Sequence, residues 1–460
     1  MPEFINALNF YTDTFFGAVS GWLWGWPLIV ILMGTHIYMT VRLGFVQRHL
    51  GKMIRLTLSS EKSAQGEISH WGALATALAA TVGTGNIVGV ATAISLGGPG
   101  AVFWMWLTGV FGMATKYAEA VLSVKYRTLN AQGQVVGGPM YVLERGVKCK
   151  WLGMLFASFA ALAALGIGNM NQASAITENL SQNYAWPREI IALSLMILTG
   201  IVILGGVKFI ARVCQFLVPL MVVFYFAACL VALVIFVDRI PGAIVTILTE
   251  AFRFDAAGGA VVGIGISQAM RYGIARGLFS NESGMGSAPI VAAAAKTSHP
   301  VRQGLVSASG TFWDTVVICL MTGLVIVCSG DWMTTNELGE RLNGTALTSA
   351  AFGVLGDWSA AFLSFTLFTF VFSTILGWAY IGEKSAEYLL GSGVNLIYRL
   401  LWIAAVGAGG LLPLDTLFNV SDTLNALMVL PNVFSVLVLS KIVAQETADY
   451  LKKTDVRSES

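Results

Sequence analysis

Two short runs of glycine and small polar residues interrupt apolar stretches of this chain, and both could bind a ligand through backbone atoms. The first run is ATVGTGNI at residues 80–87, and the second is GLFSNESGMGSAP at residues 277–289, which carries the Glu282 carboxylate. Gly, Thr and Asn are poor residues for a helix interior. Unwound backbone exposes carbonyls that can bind a cation and amides that can bind a carboxylate. The two runs therefore predict a site for groups of both charges.

Both runs could instead have a purely structural role, without binding a ligand. Small residues mark close helix crossings, so residues 80–87 could form a packing face. Residues 277–289 could be a plain cytoplasmic loop, or the interruption could lie upstream near Gly265–Gln268, with Ser280–Gly286 in a cytoplasmic half-helix. The apolar residues 290–295 that follow favour a continued helix. The sequence leaves these alternatives open.

The composition shows which kind of protein must position these runs. Of the 460 residues, 56% are hydrophobic and 11% are charged, whereas soluble domains average about 45–50% apolar and about 25% charged residues. A soluble enzyme is therefore excluded, and we predict an all-α polytopic membrane protein. The four His are scattered, and neither a zinc-protease motif nor a phosphate-binding loop is present in the sequence. A membrane enzyme and an ATP-driven pump are disfavoured accordingly.

Glycine, proline and charge clusters divide the chain into about eleven predicted transmembrane helices of roughly 20 residues or more. An extra helix and a basic cytoplasmic loop occupy residues 1–70, and a frayed cytoplasmic tail occupies residues 442–460. The predicted spans are residues 17–42, 71–96, 99–126, 151–180, 188–204, 208–237, 258–292, 301–329, 358–390, 394–411 and 414–441.

Ten of these spans form two sets of five, at residues 71–237 and 258–441, joined by an external connection at residues 238–257. The fourth spans begin at residues 188 and 394, and the fifth at 208 and 414. A unit of five helices crosses the membrane an odd number of times, so its second copy must be inverted. Inverted repeats are typical of secondary transporters that work by alternating access.

Positive charges indicate the orientation of the chain. Of the 27 Lys and Arg residues, 22 fall on one side of the predicted membrane and four on the other. Because cytoplasmic loops collect Lys and Arg, we predict an external N-terminus and a cytoplasmic C-terminus. The remaining cation, Lys116, lies within a span, and its spacing of three from Glu119 favours a pair on the helix surface.

Asp314 is the most prominent acid inside a predicted span. Ionisable residues at that depth are functional sites by default. Asp314 could couple protons, pair as a gate with Arg271 or Arg276, or cap a neighbouring helix. Glu282 is a second candidate for coupling or gating.

Four blocks of residues resemble the sodium:alanine (alanine/glycine:cation) symporter family. They are AATVGTGNI at 79–87, GGPGAVFWMW at 97–106, RGLFSNESGMGSAP at 276–289 and STILGW at 373–378. The resemblance covers about residues 20–450. It implies one N-terminal helix followed by the five-plus-five inverted repeat of the leucine-transporter (amino acid–polyamine–organocation) fold, in the inner membrane of a bacterium. It also implies symport of alanine or glycine with Na⁺, with H⁺ as the alternative ion, and neither a further cofactor nor a nucleic-acid partner. A passive channel is a rival interpretation, which the clustering of polar groups at two breaks disfavours.

The resemblance also implies which residues bind the substrate and the ion. The expected substrate ligands are Thr84, Gly85, Asn86, Gln172, Thr374 and Trp378. Trp378 would be an apolar wall that excludes larger side chains, although core packing or interfacial anchoring would also suit a Trp. Oxygen ligands suit a hard cation such as Na⁺, and the expected ones are Thr81, Thr369 and Ser373. These hydroxyls could instead bond within their own helices.

Overall fold

Helices form almost all of the structure, a computed structural model that describes residues 14–59, 64–253, 264–335, 339–411 and 415–458. The longer helices are α1 (Thr14–Arg42, with a turn at residues 24–25), α2 (Leu50–Thr57), α3 (His70–Thr81), α4 (Gly85–Gly97), α5 (Ala101–Lys125), α6 (Lys150–Tyr184), α7 (Arg188–Ile203), α8 (Gly206–Ile235), α9 (Ile240–Ala251), α10 (Ile264–Asn281), α11 (Ser287–Ala293), α12 (Pro300–Ser329), α13 (Gly344–Phe352), α14 (Ser359–Leu390), α15 (Asn395–Leu411), α16 (Asp415–Val438) and α17 (Ser440–Ser458).

Shorter elements connect these helices. Single helical turns lie at Val46–His49, Pro139–Tyr141, Val142–Gly146, Val237–Arg239, Asp331–Met333, Gly353–Leu355 and Ser392–Val394. An antiparallel hairpin of β1 (Thr128–Leu129) and β2 (Val135–Val136) follows α5, although the sequence shows no strand signal there. Within the tail that the sequence predicts to be frayed, the structure has α17 up to Ser458, and the Thr447 hydroxyl lies 2.7 Å from the Tyr117 hydroxyl.

Seven of the described helices are long and apolar enough to cross a membrane, or eight if the bent pair α3–α4 is one span. Three predicted spans, residues 99–126, 188–204 and 258–292, hold helices outside that group. The count of eleven and the inverted repeat therefore stay predictions. Residues 254–263, where the seventh predicted span begins, lie outside the described residues.

The first interruption separates α3 from α4. Helix α3 ends at Thr81, α4 begins at Gly85, and the two axes differ by 55°. Val82 has an extended backbone, with ψ of 97°. A Cβ atom on Gly83 would lie 2.7 Å from the Thr374 hydroxyl of α14, so only glycine permits this approach. The structure thus places the break at residues 82–84, within the first predicted run.

The second interruption separates α10 from α11. Left-handed backbone at Glu282, Gly284 and Gly286, with φ of 52°, 87° and 88°, ends one helix and precedes the next. Helix α10 is continuous from Ile264 to Asn281, so the alternative break near Gly265–Gln268 is wrong. The plain-loop interpretation is wrong too, because Glu282 is only 5% exposed and its neighbours in the break are buried.

Three glycine contacts bring the surrounding helices against these breaks. A Cβ on Gly168 of α6 would lie 2.3 Å from Trp378 of α14, and one on Gly377 of α14 would lie 2.6 Å from the Ala80 nitrogen of α3. A Cβ on Gly166 would overlap Ser421 of α16. Small residues allow helix backbones to approach closely in membranes. Helices α6, α14 and α16 therefore enclose the space between the breaks.

Candidate functional site

A small cavity of about 20 Å³ lies between the two broken helices. Its walls come from both breaks and from α6, α14 and α16. Five of the six predicted substrate ligands line it, namely Thr84, Gly85, Gln172, Thr374 and Trp378. A space this small holds about one water, so a bound solute requires the pocket to widen.

A second cavity of about 580 Å³ adjoins the first and is open to the outside of the protein. The two cavities share Thr84, Gly85, Gln172 and Phe279 among their walls. Arg276 of α10 lines the larger cavity and interacts electrostatically with Asp422 of α16. A solute can therefore reach the pocket through the larger cavity.

The opposite end of the broken helices is closed by backbone pairing. The segment before α3 bonds to the segment after α11, with Glu67 N–H donating to the Ala294 carbonyl and Lys296 N–H to the Ile68 carbonyl, both at 2.7 Å. The Arg127 guanidinium donates to four further carbonyls of these segments, at Gln65, Ala293, Ala295 and Thr297. In the part of the chain that the structure describes, the larger cavity thus adjoins the pocket on one side, and these bonds join the segments on the other. The sequence gives no sign of the Arg127 contacts, because they depend on tertiary folding.

The pocket has one end that favours negative charge and one that favours positive charge. Thr84 and Gly85 lie where α4 begins, and the first amides of a helix lack intrahelical partners and attract anions. Ala80 and Thr81 lie where α3 ends, and the last carbonyls of a helix attract cations. Glu282 adds a carboxylate to the pocket wall. This arrangement suits a zwitterion.

Trp378 closes one wall of the pocket. Its side chain is 1% exposed, packs over Gly168 and interacts with the Glu282 carboxylate. Interfacial anchoring is incompatible with this burial. The Thr374 hydroxyl, one turn earlier, donates to the Phe370 carbonyl at 2.9 Å. Trp378 and Thr374 therefore present a largely apolar surface with little room beside it.

Asn86 lies behind this pocket and not among its wall residues. Its Oδ1 accepts the Gly83 N–H at 3.0 Å, and its Nδ2 donates to Asp314 Oδ1 at 2.8 Å and to Ser280 Oγ at 3.1 Å. The side chain is fully buried. Asn86 thus ties the first break to α10 and α12, and its assignment to the substrate stays a prediction.

Asp314 lies in the wide π turn of α12, at residues 312–319, and is fully buried. Its Oδ2 accepts from the Ser280 hydroxyl at 2.8 Å and from the Thr315 hydroxyl at 2.7 Å, in addition to the Asn86 bond. The structure surrounds Asp314 with neutral donors, whereas Arg276 interacts with Asp422 instead.

Lys116 and Glu119 of α5 hold the second break from both sides. The Lys116 ammonium donates to the Asn281 carbonyl at 2.8 Å, where α10 ends. The Glu119 carboxylate accepts the Gly284 and Gly286 N–H groups at 3.2 and 3.0 Å, just before α11 begins. Both side chains are buried, so the predicted surface pair is wrong.

Each charge complements the helix end it contacts, because carbonyl ends attract cations and amide ends attract anions. Lys116 also interacts with the carboxylates of Glu282, Glu119 and Asp314. Lys116 and Glu119, one turn apart on α5, therefore hold the backbone that places Glu282 in the pocket wall. The sequence shows the two charges but not which helix ends they contact.

The predicted Na⁺ ligands lie in the same region without forming a complete site. Thr81 lines the small cavity at the end of α3. The hydroxyls of Thr369 and Ser373 each donate to a carbonyl of their own helix at 2.9 Å. This is the alternative of bonding within a helix, and the assignment of these residues to the ion stays a prediction.

Asn425 of α16 is a wall residue that the sequence analysis missed. It is a buried carboxamide within a predicted membrane span. Polar residues in membrane helices usually face the interior of the bundle, so its residue type is a signal that the sequence does contain. The wall that it joins could not be identified without the packing of α16 on α6.

A buried pocket between two broken helices, open to one side and closed to the other, defines a secondary transporter. The chain belongs to the Sodium:alanine symporter family, whose sequence pattern matches residues 9–460. The family members are transporters and not enzymes, and couple amino-acid transport to Na⁺ across a membrane.

Individual relatives agree with this membership. The chain is 45% identical to the "Sodium/alanine symporter AgcS" of Methanococcus maripaludis, over 99% of this chain and 100% of that protein. It is 36% identical to the "Probable sodium/glutamine symporter GlnT" of Bacillus subtilis, over 95% of this chain and 90% of that protein. The structure of MhsT in complex with L-phenylalanine covers 83% of this chain and 99% of MhsT, with a TM-score of 0.53 and 15% identity. That likeness concerns the fold alone.

Proposed function

We propose that this protein imports small neutral amino acids, with alanine and glycine as the main substrates, in symport with Na⁺. The observation that carries this proposal is the pocket between the breaks, where helix amides and the Glu282 carboxylate offer partners to both charges of an amino acid. The buried Trp378 closes one wall of this pocket, which favours a substrate with a short side chain. The relatives named for alanine and glutamine support an amino-acid substrate.

Alternating access is the mechanism that the geometry favours. The pocket adjoins an open cavity of about 580 Å³ at one end. At the other end, backbone hydrogen bonds join the segments around Ile68 and Ala295. Transport requires these contacts to open while the larger cavity beside Arg276 closes. A continuous pore would not need such reciprocal closure.

The coupling ion is Na⁺ in this proposal, bound by Thr81, Thr369 and Ser373 together with carbonyls at the end of α3. H⁺ coupling is the second candidate, because Asp314 and Glu282 place two carboxylates within the buried region beside the pocket. Oligomeric state does not enter the proposal, since the site lies within one chain.

Uptake of labelled amino acids into proteoliposomes tests the function. With an inward Na⁺ gradient, we expect alanine and glycine to accumulate above equilibrium, and leucine or methionine to compete weakly because Trp378 closes the pocket. One missing or extra methylene in such a pocket changes binding by about 1–3 kcal/mol. Accumulation driven by a pH gradient alone would favour H⁺, and equilibration without accumulation would contradict symport.

We further propose that the N-terminus is external and the C-terminus cytoplasmic in a bacterial inner membrane. The support is the distribution of Lys and Arg, with 22 of 27 on one side of the predicted spans. We expect no activity from a phosphatase that works only outside the cytoplasm when it is fused after Ser460. A fluorescent protein that requires the cytoplasm, fused at the same place, should be bright. An active phosphatase fusion would contradict the orientation.

A further inference from the structure

Asn425 is a buried carboxamide that has no hydrogen-bond partner among the described residues. It lies on α16 and is 1% exposed. Neither its Nδ2 nor its Oδ1 atom has a hydrogen-bond partner in the part of the chain that the structure describes. A buried polar group left unpaired costs about 1–3 kcal/mol. Most buried side-chain amides in folded proteins are paired for this reason. An unpaired carboxamide that lines a pocket is therefore available to a ligand.

A second asparagine on the same helix shows what a structural role looks like. Asn432 lies seven residues later, two turns along nearly the same helix face. It is equally buried, and its Nδ2 donates to Glu119 Oε1 at 2.6 Å and to the Gly284 carbonyl at 2.7 Å. Asn432 thus belongs to the support of the second break. Asn425 has no comparable contact although its burial is the same.

The place of Asn425 indicates where its partner comes from. It lines the small cavity together with Gln172, Glu282 and Trp378. The Gln172 Nε2 donates to the Ile167 carbonyl at 3.1 Å, and its Oε1 is likewise buried and unpaired. Two carboxamides with unpaired atoms therefore border one pocket. A ligand there would satisfy both, whereas a single water in about 20 Å³ could pair with only part of them.

We infer that Asn425 binds the transported amino acid directly, through a hydrogen bond to its ammonium or carboxylate group. This rests on the proposed function and adds α16 to the substrate-binding elements. A carboxamide both donates and accepts, so it can pair with either charged group of a zwitterion. Because alanine and glycine share these groups, the contribution of Asn425 is equal for the two substrates.

The test compares Asn425→Leu with Asn432→Leu as the matched control. Leu has the same number and branching of side-chain heavy atoms as Asn and removes both polar atoms. Without amino acid, Asn425→Leu should melt at or above the wild-type temperature, because no native bond is lost, whereas Asn432→Leu should melt lower. At saturating Na⁺, Asn425→Leu should bind alanine and glycine about 10- to 100-fold more weakly, by the same factor for both, since a bond to a charged group is lost.

Several outcomes would overturn the inference. Wild-type affinity for alanine in Asn425→Leu would show that the residue does not contact the substrate. A drop in the ligand-free melting temperature as large as that of Asn432→Leu would show a structural role, and a change confined to Na⁺ affinity would assign Asn425 to the ion. If Asn425→Leu does not fold, Asn425→Ala decides on the same readouts. Failure of the wild-type protein to bind any amino acid would instead contradict the proposed function.

Discussion

Replacing Asn86 by Ala is expected to abolish amino-acid uptake. The substitution removes the acceptor of the Gly83 N–H and the donor to Asp314, so the first break loses its link to α10 and α12. A buried unpaired group costs about 1–3 kcal/mol, and more if it is charged. Because the backbone of the break that lines the pocket is then no longer held, we expect the initial rate of alanine uptake in proteoliposomes to fall by about 100-fold or more.

A swapped pair provides the control for Asn86. Asn86→Asp alone places a second carboxylate beside Asp314 and should be inactive. Combining Asn86→Asp with Asp314→Asn restores one carboxylate and one amide at the contact, and should recover part of the uptake if this pair maintains the break. Interaction energies of contacting residues are obtained from such a double-mutant cycle. Full activity of Asn86→Ala would contradict any role for the residue, whether in substrate binding or in the link.

The first break could be predicted from sequence because its cause is local. Gly83, Gly85 and Thr84 lower helix propensity within a few residues, and the structure places the first break among them. The position of the second break could not be decided from sequence, because glycines occur both near Gly265 and within residues 277–289. Left-handed backbone at Glu282, Gly284 and Gly286 decides it, and this conformation depends on the contacts of Lys116 and Glu119.

The pocket residues divide in the same way. Thr84 and Trp378 lie in blocks that resemble the family, and Gln172 is an expected ligand that the same resemblance implies. The three residues meet at one cavity. Asn425 lies outside those blocks, and its position depends on the crossing of α16 with α6 at Gly166 and Ser421. Contacts between distant helices are set by packing over the whole bundle. They therefore cannot be obtained from the local pattern of a single sequence.

The role of Lys116 could not be predicted from the local sequence either. Its spacing of three from Glu119 is typical of a pair on a helix surface. This spacing depends on one helix alone and gives no information about the helices packed against it. In the structure, α10, α11 and α16 cover this face, and the two charges contact different helix ends. Two charges one turn apart on α5 thus hold the end of α10 and the backbone just before α11.

Replacing Lys116 by Met is expected to abolish transport and to destabilise the protein. The ammonium donates to the Asn281 carbonyl and is the cation that interacts with the buried carboxylates of Glu282, Glu119 and Asp314. Removing one partner from a buried charge pair costs about 3–5 kcal/mol, because the remaining charge is left uncompensated. We expect a lower melting temperature of the purified protein and no Na⁺-driven alanine uptake.

Lys125→Met is the matched control for Lys116→Met, since Lys125 lies on the same helix. It pairs with Glu446 near the surface, where its side chain is 33% exposed, and exposed pairs contribute about 0–1 kcal/mol. This control should transport and melt like the wild-type protein. Glu119→Gln adds a graded case, because an amide oxygen can still accept the Gly284 N–H while the charge is lost, so we expect partial activity. If Lys116→Met transported alanine as well as Lys125→Met, the second break would not depend on the charges of α5, and Glu282 would be positioned by its own backbone alone.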